Sequence, residues 1–391
     1  MPVLLALTSL FSQPWFRPYI EDRERYERHI NPTFNGPKDA NRSDLYNRVR
    51  LGANFDFSHG LKATLEYQNA TDLYWTKAAN SMTHNSDASL AFADYAAMKY
   101  DFSLGREKIA LGEMRLIGPT EWTNLSRSFD VARAKSGPWD LWGGTLGMAN
   151  KDTKTVRLAD LTHLDKTWGT TSLILKHDLG SMASIDEQTL DHFVKRKFGN
   201  TTADAEAAVQ IGANNLKDQS AWAYHARLTQ DLFKKTTFSI EADAASGGST
   251  STISRTFDNL YPSNHDLYGL ADTTGWKNMT YFAARLENRP SDRLWLRVSE
   301  QTFSLRDASD AWYSFSGAAN AKSGGGVFQD PSGKSGTQLG SELDAEASWD
   351  LKKAGSFSAG LALFSPGDFV KNITQRDDNE TFCYLQYQVR F

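Results

Sequence analysis

The sequence predicts an all-β chain folded as a single antiparallel transmembrane β-barrel. Three observations predict it. Apolar and polar residues alternate with a period of two in run after run along the chain. Short turns alternate with long polar connections, as the two rims of an outer-membrane barrel do. No stretch offers the ~18 consecutive apolar residues of a membrane-crossing helix, and without one only a closed barrel satisfies every backbone group in lipid.

The first clear strand covers residues 45–57. Leu45, Asn47, Val49, Leu51, Ala53, Phe55 and Phe57 share one face, and Tyr46, Arg48, Arg50, Gly52, Asn54 and Asp56 share the other. Successive side chains of a strand point to opposite sides, so one face is largely apolar and the other polar. The turn Ser58-His59-Gly60 leads into residues 61–68. There Leu61, Ala63, Leu65 and Tyr67 alternate with Lys62, Thr64, Glu66 and Gln68, completing a hairpin. The pattern recurs at 222–229, 238–243, 282–287, 293–299 and 342–349. In the last run, 382–391, Cys383, Leu385, Tyr387, Val389 and Phe391 oppose Tyr384, Gln386, Gln388 and Arg390. An amphipathic final strand ending in an aromatic is the usual close of an outer-membrane barrel.

A soluble sandwich would alternate in the same way. Here, however, Arg and Glu recur mid-strand on the polar faces, and Trp and Tyr recur near strand ends. Both suit a charged lumen bounded by aromatic girdles. Mean hydropathy is negative, because lipid-facing and lumen-facing residues cancel in a barrel. A formal net charge of −4 leaves no electrostatic footprint for nucleic acid. The lone Cys383 rules out a disulfide framework within the chain.

Residues 1–13 are expected to be the remnant of a signal peptide, with the barrel taking 14–391. The apolar run MPVLLALTSLF fits the hydrophobic part of such a peptide, although no Lys or Arg precedes it and residues 10–12 make a poor cleavage site. Three polar segments read as loops. Residues 78–87 are rich in Asn and Ser. Residues 181–218 place Leu190, Phe193, Val194 and Phe198 at helical spacing before Gly199, which predicts a helical turn or two inside an extracellular or inward-folded loop. Residues 307–339, rich in Ser, Gly and Ala, read as a mobile loop.

Enzyme signatures are missing. Gly333-Lys334-Ser335 resembles the end of a phosphate-binding loop, but Phe328 stands where the first glycine belongs. There is no HExxH pair, no Cys/His metal cluster and no GxSxG elbow. The chain is therefore expected to be no enzyme, and to need neither cofactor nor metal.

Three further segments resemble the alginate export porin family. They are LGREKIALGEMRLIGPTEWTNLSRSFDVAR at 104–133, TFDNLYPSNHDLYGLADTTGWKN at 256–278, and FSPGDFVK at 364–371 followed by Tyr384-Leu385-Gln386 and the final Phe. They lie in family order and span about residues 16–391. The resemblance implies a monomeric barrel of about eighteen strands, sixteen at the least. It also implies an outer-membrane setting among lipid and lipopolysaccharide, and an arginine-lined pore that passes an anionic uronic-acid polysaccharide. A periplasmic partner would feed such a pore.

The residues themselves suit such a pore. A polyanion crossing a membrane needs water and many weak fixed cations, so that binding helps entry without blocking exit. Arginine keeps its charge and its planar fork engages carboxylates. The alternation aims Arg48, Arg50, Arg227, Arg285, Arg297 and Arg390 at the lumen, and the family segments add Arg106, Arg115, Arg127 and Arg133. Register near 102–115 is ambiguous, since Gly105 and Gly112 mark bulges. Asp130 is expected to hold its segment against the wall through Arg127 and Arg133. Asp56, Glu66, Glu241, Asp243, Glu287, Glu342, Asp344 and Glu346 also point inward. The expected result is a transverse field, basic near 46–50, 225–227, 285–297 and 390, and acidic near 241–243 and 342–346. Tyr261, Pro262, His265 and Asp272 read as rim residues, and Trp122, Trp139 and Trp142 as girdle or loop anchors. The function expected is a passive channel for acidic sugars or other small anions; the alternatives are a loop-plugged barrel acting as receptor or scaffold and a porin for other small solutes.

Overall fold

The computed structural model describes residues 13–34, 41–76, 80–147, 156–180, 184–263, 265, 267–322 and 325–391. The expected signal-peptide remnant falls almost wholly on residues 1–12, outside the described residues.

The strands are β1 (Phe16–Ile30), β2 (Arg42–Asp56), β3 (Leu61–Thr76), β4 (Asn80–Ala97), β5 (Tyr100–Glu107), β6 (Ser128–Ser136), β7 (Trp139–Gly147), β8 (Val156–Asp165), β9 (Gly169–Leu179), β10 (Ser184–Phe198), β11 (Thr201–Asn214), β12 (Lys217–Phe233), β13 (Thr236–Ala245), β14 (Ile253–Ser254), β15 (Met279–Asn288), β16 (Leu294–Leu305), β17 (Gln338–Asp350), β18 (Ser356–Pro366) and β19 (Glu380–Arg390). The two-residue β14 lies parallel to the start of β12 and stays outside the wall, where β13 pairs directly with β15. The other eighteen form an antiparallel up-and-down ladder. β1 pairs with β2 on one side and with β19 on the other, so the sheet closes on itself and keeps no free first or last strand. A barrel of this size is wide enough to hold an aqueous channel.

The two rims differ as expected. Turns such as 57–60, 98–99, 137–138 and 199–200 are short and mark the periplasmic rim, where β1 begins and β19 ends. The connections 108–127, 246–278 and 306–337 are long and start from the extracellular rim. The alternation also holds. Leu51, Leu65 and Tyr67 are exposed on the outside, whereas Arg48, Arg50, Glu66 and Gln68 are buried inside.

Three loop expectations change. Residues 181–218 are not a loop with a helical turn: where described, they form β10, β11 and the start of β12. Leu190 is exposed on the lipid side and Asp191 buried on the lumen side, which is strand alternation. The 78–87 segment belongs to β4, from Asn80 onward. The 307–339 segment does lie outside the strands until β17 begins, but it folds into the barrel and buries Ala311, Trp312 and Phe328.

Two long connections fill one side of the bore. Residues 246–278 bury Phe257, Tyr268 and Trp276, and the 306–337 connection adds Trp312 and Phe328. These pack with Phe34, Phe303, Phe364 and the short helix α1 (Asp368–Thr374), which inserts Phe369 and Val370. The Trp312 and Phe364 rings stack at 6.0 Å, and Phe34 lies 5.5 Å from Trp312. Each large apolar side chain so buried contributes about 1.5–3 kcal/mol. The extracellular half beside β13–β18 is thus a packed core, and water is left to the side of β1–β4 and β19.

Candidate functional site

The connection 108–127 leaves the top of β5 and crosses the lumen instead of covering it. Ile109, Leu116 and Ile117 are buried, which draws its middle inward. Ile117 bridges Tyr261 in parallel, with Gly118 N–H donating to the Tyr261 carbonyl at 2.9 Å and Tyr261 N–H to the Leu116 carbonyl at 2.8 Å. Gly118 is needed there, since a Cβ would stand 2.7 Å from that of Ser263. Arg127 clamps the pair: its Nη1 donates to the carbonyls of Gly118, Tyr261 and Pro262 at 2.9, 2.5 and 2.9 Å. Burial pulls the Arg127 pKa down to about 10.

One end of the crossing loop is fixed to the β11–β13 wall. Arg115, wholly buried, donates to Glu241 at 2.9 Å and to Glu113 at 3.4 Å, with Glu206 and Asp243 each at 3.5 Å. Arg227 joins Glu113 at 2.6 Å and Asp204 at 3.0 Å. His225 lies between Asp243 at 2.6 Å and Asp204 at 2.9 Å. Arg285 pairs with Glu241. Partial burial opposes the charge of Glu113, but Arg227, Lys195 and Arg115 prevail and hold its pKa down to about 2.

The other end is fixed to β1 and β2 by arginines. Arg23 donates to the carbonyls of Glu121 at 2.7 Å and Thr123 at 3.1 Å, and to Asn124 Oδ1 at 3.2 Å. Arg48 bonds Glu21 at 3.0 Å. Arg50 reaches Ser126 Oγ at 2.9 Å and the Glu121 carboxylate at 2.9 Å. Lys108 lies 2.6 Å from the other Glu121 oxygen. Partial burial again opposes the charge of Glu121, and Arg50, Lys108 and Arg48 outweigh it, setting its pKa at about 2. Arg25 donates to the Trp122 carbonyl at 2.6 Å, and its guanidinium covers the Trp122 ring. The opposite face of that ring stacks on His265 at 3.7 Å, with His265 bonded to Asp272 at 2.8 Å.

Trp122 therefore stands between two cavities. The periplasmic one, about 640 Å³, is lined by Arg23, Arg48, Arg50, Lys108 and Arg390 against Glu21, Glu66 and Glu121. Arg390 is exposed to it, its guanidinium 4.0 Å above the Tyr19 ring. The extracellular one, about 580 Å³, holds Arg25, His29 and Arg42 against Glu27, Asp72, Asp272 and Glu380.

Of the sequence candidates, Arg48, Arg50 and Arg390 line the periplasmic cavity. Arg227, Arg285 and Glu241 meet in one ion network, and Arg297 pairs with Glu346. Arg227, Arg285 and Arg297 are thus neutralised by neighbouring acids, which leaves a basic wall at β1–β2 and β19, while the acids Glu342 and Asp344 accept from the Ala271 and Leu270 N–H groups and from Gln301 instead of from a base. Arg115 and Arg127 are buried anchors of the loop. Arg133 faces inward but is matched to Asp140 at 2.5 Å. Glu287 accepts from Trp295 Nε1 at 3.4 Å, near the periplasmic turn. Arg106 and Asp130 do not line the pore. They share the outer parity of Leu104 and Ala132 in the β5–β6 ladder and pair with each other at 2.7 Å. Asp130 therefore does not tie down Arg127 or Arg133. His265 and Trp122 take the loop alternative, on the connections 246–278 and 108–127 that enter the lumen, while Trp139 lies exposed at the periplasmic end of β7. Glu21, Arg23, Arg25, Lys108 and Glu121 were missed. Metal-type groupings exist at Glu27–His29–Asp44 and His225–Glu241–Asp243, but arginines bonded to them already supply the positive charge an ion would bring.

The family profile described as Alginate export matches residues 175–384, more than half of the chain. No curated protein matches it. Among solved structures it is similar to the Pseudomonas aeruginosa proteins OccK5 (OpdH) and OpdQ, each with a TM-score of 0.63 at 12% identity over 96% of this chain and 98% of that one. It is also similar to OccK2 (OpdF) of the same organism, in complex with glucuronate, with a TM-score of 0.60 at 10% identity over 96% of both chains.

Proposed function

The chain belongs to the alginate export family and is a porin-type channel of the Gram-negative outer membrane, and from that premise we propose that it passes acidic solutes, uronates and their oligomers, from the periplasm outward. The observation that carries this is the periplasmic cavity, where five cations face three carboxylates. An anion entering from that side meets an excess of positive charge in a narrow, low-dielectric space that focuses the field. Beyond Trp122 the cavity turns acidic, with four carboxylates against Arg25, Arg42 and His29. Attraction at the entrance followed by weaker holding at the exit is what conduction requires. The glucuronate bound by OccK2 is a uronate of the proposed class. No energy source enters the reading, and transport follows the gradient.

The test is single-channel conductance of the refolded protein in a planar bilayer, with the reversal potential read under a salt gradient. Oligouronate is then added to each side in turn. Anion preference, with stronger block from the periplasmic side, supports the proposal. Open current indifferent to oligouronate points to a porin for other solutes. A closed barrel moves the reading to a loop-plugged receptor.

A further inference from the structure

Most acids on the inner wall are met by a base. Asp160 on β8 and Asp191 on β10 are not. They lie across the bore from the basic wall, since β8–β10 stand half the circumference from β1. Asp160 is 1% exposed and Asp191 6%. The Oδ1 atom of each is closed to solvent and makes no hydrogen bond, and among the described residues neither carboxylate joins an ion pair. The nearest bases are committed elsewhere, Arg133 to Asp140 at 2.5 Å and Arg115 to Glu241 at 2.9 Å. The Trp142 indole, opposite Asp160 in the ladder, has an N–H that makes no bond of its own and carries no charge. The His192 backbone N–H beside Asp191 likewise brings a dipole and not a charge.

Two buried hydroxyls lie between the two acids. Thr162 Oγ1 donates to Asp160 Oδ2 at 2.8 Å and lies 2.7 Å from Ser172 Oγ. Thr162 faces Ser172 across β8 and β9, and Ser172 faces Asp191 across β9 and β10. A hydroxyl has one hydrogen to give. Thr162 gives its own to Asp160, so Ser172 gives its own to Thr162 and turns only lone pairs toward Asp191. With the chain reversed, Asp160 is the carboxylate left bare. Two hydrogens therefore serve one of the two acids, and acceptor meets acceptor at the other. Ionised carboxylates buried without a counter-charge are strongly unfavourable.

We propose that Asp160, Thr162, Ser172 and Asp191 hold a calcium ion. All four offer oxygen, the donor atom that hard cations take, and none offers sulfur or nitrogen. Two carboxylates balance a charge of two. Each can bind through one oxygen or both, and water completes the irregular shell that calcium accepts. Magnesium demands a tighter octahedron, which a patch spread over three strands suits less well. The ion joins β8, β9 and β10 on the periplasmic side of Leu158 and Ile174, which belong to the same apolar core as Ile109 and Ile117 of the crossing loop. It also cancels an acidic patch opposite the basic wall, whichever solute the channel passes. The site departs from the expectation that the chain needs no metal. That expectation rested on missing Cys/His motifs, and ligands that are all oxygen and come from three strands leave no such motif.

The experiment uses the full chain, refolded from urea into detergent so that no lipopolysaccharide accompanies it, and then chelated. Terbium is the probe, since it takes calcium sites and emits when a nearby tryptophan is excited. Sensitised emission is expected on titration, displaced by added calcium and reduced in Trp142→Phe, whose indole stands opposite Asp160. Calcium is expected to raise the melting temperature of wild type and of Trp142→Phe alike. Asp160→Asn and Asp191→Asn are each expected to raise the half-saturating calcium concentration roughly tenfold or more, while keeping the heat-modifiable migration of a folded barrel. A wild-type melting temperature indifferent to calcium and to chelator overturns the proposal without any variant having to fold, and means that protons neutralise the two acids. Emission unchanged in Trp142→Phe overturns it too, as does a calcium effect unchanged in Asp160→Asn, since either places the ion elsewhere.

Discussion

Arg25 and Trp122 lie face to face, the guanidinium carbon 3.8 Å from the ring centroid. The contact joins a wall strand to the tip of the crossing loop, at the point where the two cavities meet. A cation over an indole face contributes about 0.5–2 kcal/mol, so the ring is held in the path by an attraction as well as by packing. Trp122→Ala removes the partition while leaving the backbone bonds of Arg23 and Arg25 in place. Single-channel conductance is expected to rise roughly twofold or more, the constriction being what limits conduction, with little change in thermal stability. Unaltered conductance would move the constriction elsewhere.

Arg48 and Arg50 share Glu21 and face Glu121. Replacing both by Ala leaves those carboxylates facing the periplasmic cavity without their main counter-charges. A partly screened charge contributes up to about 1 kcal/mol, so the anion-to-cation permeability ratio is expected to fall by roughly threefold to tenfold. The reversal potential in asymmetric salt reads this directly, and a value equal to that of wild type counts against the basic wall.

Arg115 is surrounded by Glu113, Glu206, Glu241 and Asp243. Arg115→Ala strands buried carboxylates, which costs about 3–5 kcal/mol. The expected result is a lower melting temperature in detergent and noisy current from a loop released at one end. Quiet current at unchanged stability would show that the β11–β13 anchor is dispensable.

The crossing loop carries one depressed carboxylate at each end, Glu113 and Glu121, both with a pKa of about 2. A carboxylate whose pKa falls on docking adds stability that is complete above its free value of about 4.3. That stability is lost as the pH drops from there through about 2. Conductance is therefore expected to hold steady from pH 7 to about pH 5 and to change below about pH 4. Glu121→Gln is expected to show part of the acid behaviour already at pH 7, read from open-channel noise. A transition near pH 6 instead would point to a histidine, not to these anchors.

Much of the wall was legible in the sequence because lipid and water act on alternate residues. Wherever large apolar side chains took one face, as at Leu51, Leu65, Leu228 and Leu385, inside and outside could be assigned. The signal failed for two physical reasons. On β11 the outward residues are mostly alanines, and small side chains give little contrast, so a strand pair was read as a loop. On β1 the outward face mixes Asp22, Glu24 and Arg28 with Ile20, Tyr26 and Ile30, and both faces carry charges, so the contrast is too weak for Arg23 and Arg25 to register as inward. The site was hidden more deeply. Trp122 and Glu121 sit in no strand, and what places them is bonding to Arg23, Arg25 and Arg48, which lie 98, 97 and 73 residues back along the chain, a relation that alternation does not record. Arg106 enters from the family-like segment, where the register is ambiguous; the structure gives it the outward parity of Leu104, two residues back across the Gly105 kink.

The partition at Trp122 also sets how traffic moves. Two chambers of about 640 and 580 Å³ in line let two occupants queue, one on each side of a single doorway. For the anions proposed as its passengers, the arrival of a second would help expel the first, since like charges at that separation repel. On that proposal throughput would keep climbing with concentration after the inner chamber has filled, and the tightest binder need not be the slowest passenger.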